Sequence, residues 1–178
     1  ISCCNVVTGP SSPAVPPAGD DPPALPVIIP GARAFDLRAG NGGQYRITVA
    51  VPPGEPPPSG FPALWLLDGN SIFAGMLEAL RIQANRGAVT GVAPGVLVGI
   101  GYAVNGPFDR ARRTLDYTPP ADPSGLGERP DGGAWTETGG ADAFLAVLEN
   151  EIRPPVARIA PTDPAAQALF GHSLGGLC

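Results

Sequence analysis

The chain has 178 residues, 43% of them hydrophobic and 15% charged, a composition that predicts a globular domain with a sizeable core. Its formal net charge is −5, which argues against nucleic acid and anionic membrane surfaces as partners. All 11 basic residues are arginine. No apolar stretch approaches the ~20 residues that a membrane-spanning helix needs, so no membrane span is predicted.

Residues 1–30 are rich in proline and show neither helical nor alternating periodicity. This pattern predicts a flexible leader, followed by one domain over residues 31–178. A docking segment for another protein is the alternative, but the irregular spacing of the proline pairs favours a plain leader. The chain opens at Ile1 without methionine, which is consistent with a cleaved export signal but does not establish one.

Two strands over residues 35–38 and 44–51, joined by the Gly-rich turn 40–43, are predicted to form an antiparallel hairpin. The continuous apolar run 63–67 is typical of a strand that is buried on both faces of a parallel sheet. A helix is predicted over residues 71–83, with Asn70 or Ser71 as the N-cap residue.

A second buried strand is predicted over residues 96–100, closed by Gly101, and a second amphipathic helix over 141–153, ended by Pro154 and Pro155. The alternation of strands and helices predicts an α/β layer fold. The polar, proline-rich segment 103–135 breaks this alternation, so we expect a long functional loop on the side where α/β proteins bind ligands.

The three cysteines suggest no disulfide framework, and Cys178 is interpreted as a small buried apolar residue. The sole histidine, His172, has no cysteine or carboxylate at ligand spacing around it. We therefore expect neither a metal site nor a cofactor.

The segment Gly171-His172-Ser173-Leu174-Gly175 has the Gly-x-Ser-x-Gly pattern of a nucleophile elbow. Because glycine is abundant in this chain, the bare pattern is weak evidence, and an ordinary turn is the alternative. A predicted strand over residues 167–170 enters the turn, as an elbow requires. The serine is expected to have a strained backbone, and the residues on either side of it are expected to be small enough to avoid a collision across the turn.

Four segments, 66–70, 98–102, 113–119 and 171–176, occur in the order found in esterase-D-like esterases of the α/β-hydrolase fold. The resemblance covers residues 35–178. It is greatest to the siderophore esterase branch, which hydrolyses the trilactone of enterobactin-type ferric siderophores. It implies that the substrate is a small-molecule ester and that the protein uses no cofactor. It leaves the cellular location open between cytoplasm and periplasm.

By this resemblance Ser173 is the nucleophile. The backbone N–H groups of Leu174 and Asn70 are the implied oxyanion donors. Arg113, in the segment Arg-x-x-Asp-Tyr-Thr-Pro, is implied to bind an anionic substrate. The alternative for Arg113 is a structural ion pair, in which Arg113 or Arg112 meets Asp116 or Asp109. Asp116 and Tyr117 are expected to hold the shape of the loop.

The family has its catalytic histidine and orienting carboxylate well downstream of the elbow, at positions that have no counterpart among these residues. His172 directly precedes the serine on a strained turn, and its side chain is expected to point away from Ser173 Oγ. The chain is thus expected to hold only the N-terminal part of the fold and to be poorly folded and inactive alone.

Other functions share the same serine chemistry: short-chain carboxylesterase, S-formylglutathione hydrolase-like thioesterase, feruloyl-type esterase and acyltransferase. A non-catalytic hydrolase-fold binding protein is an alternative of a different class.

Overall fold

The computed structural model describes residues 26–122, 125, 127–128, 132–133 and 136–178. The elements follow in chain order: β1 Ala32–Arg38, β2 Gln44–Ala50, β3 Phe61–Leu67, α1 Gly69–Ala84, α2 Gly87–Thr90, β4 Val96–Tyr102, α3 Arg110–Tyr117, α4 Ala141–Val147, a π-helical segment Leu148–Ile152, α5 Arg153–Ile159, β5 Thr162–Phe170 and a 3₁₀ turn Ser173–Gly176. Most of the predicted leader, with Cys3 and Cys4, lies outside the described residues. No helix within the described ranges is long and apolar enough to cross a membrane.

The five strands form one mixed sheet in the order β1-β2-β4-β3-β5. β2 runs antiparallel to both β1 and β4, whereas β3 runs parallel to β4 and β5. The antiparallel hairpin predicted at the start of the domain is confirmed, and so are the buried parallel strands. Since β3, β4 and β5 are parallel, the loops that follow them leave the sheet at one edge.

Helices cover both faces of the sheet, as an α/β layer fold requires. On one face the inward side chains of β2 and β4 pack against α4, the π-helical segment and α5, with Phe144 and Ile152 fully buried. On the other face, Phe73 and Leu77 of α1 pack against the sheet. Every residue of β4 is buried, which is why its sequence is continuously apolar.

The predicted end of β4 is wrong by two residues. The strand does not close at Gly101 but continues through Tyr102, because Gly101 and Tyr102 still pair with Arg46 and Tyr45 of β2. A glycine in a strand offers no side chain to pack, but its backbone groups still take part in the ladder.

Pro154 and Pro155 do not end the last helical region, which continues as α5 to Ile159. The π-helical segment Leu148–Ile152 separates α4 from α5, and the prolines then lie in the first turn of α5. A proline is tolerated there because first-turn N–H groups have no intrahelical partner.

The segment 103–135 is not loop throughout, because it contains α3. Asp109 caps this helix by accepting a hydrogen bond from Arg112 N–H at 2.9 Å. The N-cap of α1 also differs from the prediction: it is Asp68, whose carboxylate makes no capping hydrogen bond. Arg113 engages that carboxylate instead.

β5 is an edge strand, paired only with β3 among the described strands. Its last two side chains, Leu169 and Phe170, are 43% and 40% exposed. This edge therefore presents apolar surface next to the predicted elbow.

Candidate active site

The chain turns sharply where β5 meets the 3₁₀ turn Ser173–Gly176. Ser173 has a φ of 58°, in the left-handed region that non-glycine residues rarely adopt. Gly175 N–H donates to the carbonyl oxygen of His172 at 3.0 Å and closes the turn. A strained, exposed serine between a strand and a helical turn is the geometry of a nucleophile elbow.

Of the two glycines that flank the serine, only Gly171 lies where a larger residue would collide with the backbone. A Cβ atom there would lie 1.9 Å from the carbonyl oxygen of Gly175, far inside van der Waals contact. A Cβ atom on Gly175 would lie 3.5 Å from the Leu67 side chain, which is an ordinary contact. The expectation that both flanking positions avoid a collision therefore holds for Gly171 only.

Ser173 lines a cavity of about 450 Å³ at the edge where β3 and β5 end. The apolar part of the wall comes from Leu67, Ile72, Met76, Phe108 and Phe170. The polar part comes from Asp68, Ser71, Arg113, His172 and Ser173. An apolar wall with a few converging polar groups is typical of small-molecule sites. We call this space the serine cavity.

Arg113 and Asp68 form a bidentate ion pair at the wall of the serine cavity. Arg113 Nε donates to Asp68 Oδ1 at 2.9 Å, and Nη2 donates to Oδ2 at 2.7 Å. The two side chains are only 14% and 7% exposed. The hydrogen bond to Asp68 raises the pKa of Arg113 above its ordinary value. The guanidinium also lies over the rings of Phe108 and Tyr117, at 5.2 and 5.7 Å from their centroids.

The structural pair considered for the arginines exists, but Arg112 forms it. Arg112 Nε donates to Asp116 Oδ2 at 3.0 Å, and its Nη2 lies 2.9 Å from Oδ1. Arg113 pairs with Asp68, a residue that the sequence analysis did not consider as its partner. Arg113 is therefore both ion-paired and part of the cavity wall.

Behind the serine cavity lies a buried polar cluster centred on Asp116. Tyr45 and Tyr102 donate to Asp116 Oδ2 at 2.9 and 3.3 Å, and Tyr117 accepts a hydrogen bond from the N–H of Asp68 at 3.2 Å. Asp116 and Tyr117 are fully buried and do not line the cavity. This agrees with the expectation that they hold the shape of the segment.

The pKa shifts in this cluster keep its phenols neutral. Burial raises the pKa of Tyr45 to about 12, and burial also raises the pKa values of Tyr102 and Tyr117. Burial raises the pKa of Asp116 too, although hydrogen bonds from Arg112 and Tyr45 act in the opposite direction. The neutral phenols of Tyr45 and Tyr102 can thus donate to the Asp116 carboxylate.

The side chain of Asn70 ties the first turn of α1 to the end of β4. Its Oδ1 accepts from Tyr102 N–H at 2.8 Å, and its Nδ2 donates to the carbonyls of Tyr102, Val104 and Gly106 at 3.0, 3.2 and 3.3 Å. Asn70 does not line the serine cavity, whereas the next residue, Ser71, does. Because the side chain of Asn70 is engaged in these bonds, an oxyanion contact from Asn70 would use its backbone N–H.

Leu174 follows the serine in the 3₁₀ turn, half-buried against the main core. Cys178 is also half-buried and packs against this core, and burial raises the pKa of its thiol. The predicted burial of Cys178 is therefore only partial, although it does pack against apolar side chains.

His172 is exposed and lines the serine cavity together with Ser173. Within the described part of the chain, no hydrogen bond joins the two side chains. The described residues also contain no group of three His, Cys, Asp or Glu side chains that could hold a metal ion.

Sequence reasoning missed Asp68, Ser71 and Phe108 as parts of the cavity wall. Asp68 and Ser71 follow directly on the apolar run that forms β3, at the carboxyl end of a parallel strand. That position is itself a signal for ligand contact in α/β folds.

Residues 40–178 match the family described as Putative esterase. The chain is 45% identical over 150 residues to the ferri-bacillibactin esterase BesA of Bacillus subtilis. The aligned region covers 84% of this chain and 52% of that protein. It is 36% identical to the apo-salmochelin esterase of Escherichia coli, over 82% of this chain and 44% of that protein. The chain spans about half the length of these curated relatives.

The crystal structure of the BES protein from Bacillus cereus matches the fold with a TM-score of 0.80 at 35% identity. The match covers 87% of this chain and 58% of that chain. The mixed sheet with helices on both faces is thus the α/β-hydrolase-like fold that the sequence predicted. With the family match over residues 40–178, this shows that the chain belongs to the Putative esterase family.

Proposed function

We propose that the full-length protein is a serine esterase that hydrolyses ester bonds of a ferric catecholate siderophore. The observation that carries the proposal is the strained Ser173, which opens onto a cavity that Arg113 also lines. The names of the relatives support the substrate class, because they include esterases of ferri-bacillibactin and salmochelin.

In the proposed reaction Ser173 Oγ attacks the ester carbonyl carbon and loses its proton to a general base. The carbonyl oxygen becomes an oxyanion, and the backbone N–H groups of Leu174 and Asn70 are its proposed donors. One such donor contributes about 3 kcal/mol to transition-state stabilisation. The alcohol leaves with a proton, and water then attacks the acyl-enzyme and releases the acid.

Arg113 is the proposed contact for the anionic part of the substrate. Asp68 occupies its Nε and one side of Nη2, and the stacking on Phe108 and Tyr117 holds the guanidinium plane in place. The remaining donors of a guanidinium fixed in this way can meet catecholate oxygens at little cost in side-chain entropy.

The base is the part of the reaction for which this chain offers no candidate. His172, its sole histidine, makes no hydrogen bond to Ser173 within the described residues, and the family resemblance has the base downstream of the elbow. We therefore propose that residues 1–178 alone are inactive. The exposed Leu169 and Phe170 at the edge of the sheet support poor folding of these residues by themselves.

A hydrolase-fold binding protein is the second candidate, and it is favoured by Ser173, whose side chain makes no hydrogen bond within the described residues. Reading the gene beyond codon 178 separates the two: the esterase requires a carboxylate and then a histidine in frame. The direct test compares kcat/KM of the full-length protein for a ferric tri-catecholate lactone, an acetyl ester and a feruloyl ester. We expect the lactone to be the best substrate. A higher value for the acetyl or feruloyl ester would contradict the siderophore assignment.

A further inference from the structure

A second, polar cleft of about 310 Å³ lies beside the serine cavity, and its volume falls within the range of ligand sites, roughly 300–1,000 Å³. Its walls are Arg46 and Thr48 of β2, the first turn of α1 and the loop 104–107. Ser71 lines both this cleft and the serine cavity, so the two spaces meet at that residue. We call it the Arg46 cleft.

The Arg46 cleft presents hydrogen-bond donors without an acidic residue in its wall. Arg46 is 39% exposed and binds Asp36 through Nε and Nη2 at 2.8 and 2.9 Å. Its Nη1 makes no hydrogen bond within the described residues. The first turn of α1 contains no acidic side chain, and the carboxylate of its N-cap residue, Asp68, pairs with Arg113 and makes no capping hydrogen bond. The amino end of a 16-residue helix therefore adds positive potential here.

Two backbone acceptors in the loop wall already have a donor. Val104 and Gly106 both lie in the wall of the cleft, and their carbonyl groups accept hydrogen bonds from Asn70 Nδ2. The chain as a whole carries a charge of −5, so a local positive site matters for an anionic ligand. Because its lining includes Arg46 and no carboxylate, the cleft favours an anion over a cation.

We infer that the Arg46 cleft is a second subsite, which binds one catecholate arm of the siderophore while an ester bond of the same molecule lies at Ser173. The inference rests on the proposed function. A tri-catecholate lactone carries several anionic arms on one ring of esters, and the Arg46 cleft provides a place for one arm outside the serine cavity. The contact between the two spaces at Ser71 gives that arm its path.

The test uses Arg46→Gln in the full-length protein, with Arg153→Gln as the matched control. Arg153 is 33% exposed and also forms an ion pair with a surface carboxylate, Glu149, but it is not in the wall of either site. Loss of one charge-assisted contact predicts a rise of about tenfold in KM for the ferric tri-catecholate lactone in Arg46→Gln. Arg153→Gln is expected to leave both this KM and the hydrolysis of p-nitrophenyl butyrate unchanged, and an equal KM for the lactone in the two variants would overturn the subsite.

Calorimetric binding of the ferric tri-catecholate to Ser173→Ala protein separates the two levels of the proposal. Binding that weakens about tenfold when Arg46→Gln is added supports the subsite. Binding that is equal with and without Arg46→Gln overturns the subsite and leaves the proposed function standing. No binding to Ser173→Ala protein at all overturns the proposed substrate class and the subsite with it.

Discussion

Gly171→Ala tests the geometry of the elbow most sharply. The new Cβ atom would lie 1.9 Å from the carbonyl oxygen of Gly175 and 2.4 Å from its carbonyl carbon. Both are backbone atoms, so no flexible side chain can move aside. Relief of the overlap requires a backbone shift on the order of 1 Å, because ordinary carbon–oxygen contacts are about 3.3 Å or longer.

A shift of that size displaces Ser173 relative to its oxyanion donors. A misplacement of about 1 Å costs roughly 10²-fold in rate, so we expect kcat/KM of the full-length protein to fall about a hundredfold. The assay is hydrolysis of p-nitrophenyl butyrate, with circular dichroism to verify folding.

Gly176→Ala is the matched control within the same turn. Its Cβ atom would lie 3.7 Å from the carbonyl oxygen of Gly171, an ordinary contact, so the activity should stay within about twofold of the wild type. If folded Gly171→Ala protein were as active as Gly176→Ala protein, the reasoning from the elbow would be refuted.

Two predictions concern stability. Asp68→Asn leaves the buried Arg113 without its counter-charge, so urea unfolding of the full-length protein should show a loss of about 3 kcal/mol. Asp36→Asn removes one member of the exposed pair with Arg46, where solvent screens the charges, so its loss of unfolding free energy should be much smaller. Equal losses in the two variants would contradict the burial argument. Since the pKa of Tyr45 is raised to about 12, its contribution to stability is complete below pH 10 and is lost as the pH rises from about 10 to 12. Tyr45→Phe should therefore flatten the decline in unfolding free energy over that range, and an unchanged slope would count against the assignment.

The parts of the fold that the sequence predicted depend on local patterns. The run Phe61–Leu67 is apolar because both faces of β3 are covered, and the Gly-x-Ser-x-Gly segment is visible because one turn dictates its residue types. In both cases the residues that reveal the element are the residues that form it.

The parts that were missed depend on contacts between distant segments. Arg113 pairs with Asp68, which lies 45 residues earlier in the chain, and no local periodicity indicates that partner. The helix α3 was not predicted because its sequence is polar and lies in a proline-rich stretch. Its stability comes from the Asp109 cap and from the burial of Tyr117 against the core.

Pro154 and Pro155 show why one helix end was predicted wrongly from the sequence. In sequence they end a helix, but the π-helical segment Leu148–Ile152 resets the hydrogen-bond pattern just before them. Such a reset has no composition signal, so the continuation as α5 could be found only from the structure.

Covalent labelling of the full-length protein with a fluorophosphonate, followed by mass spectrometry of its peptides, tests the role of Ser173 most directly. We expect the adduct on Ser173, and we expect Ser173→Ala to lose the label and at least roughly 10⁴-fold of the esterase rate. Ser71→Ala, which alters the other serine in the wall of the same cavity, should keep the label. An adduct on another residue, or hydrolysis by Ser173→Ala at the wild-type rate, would contradict the account.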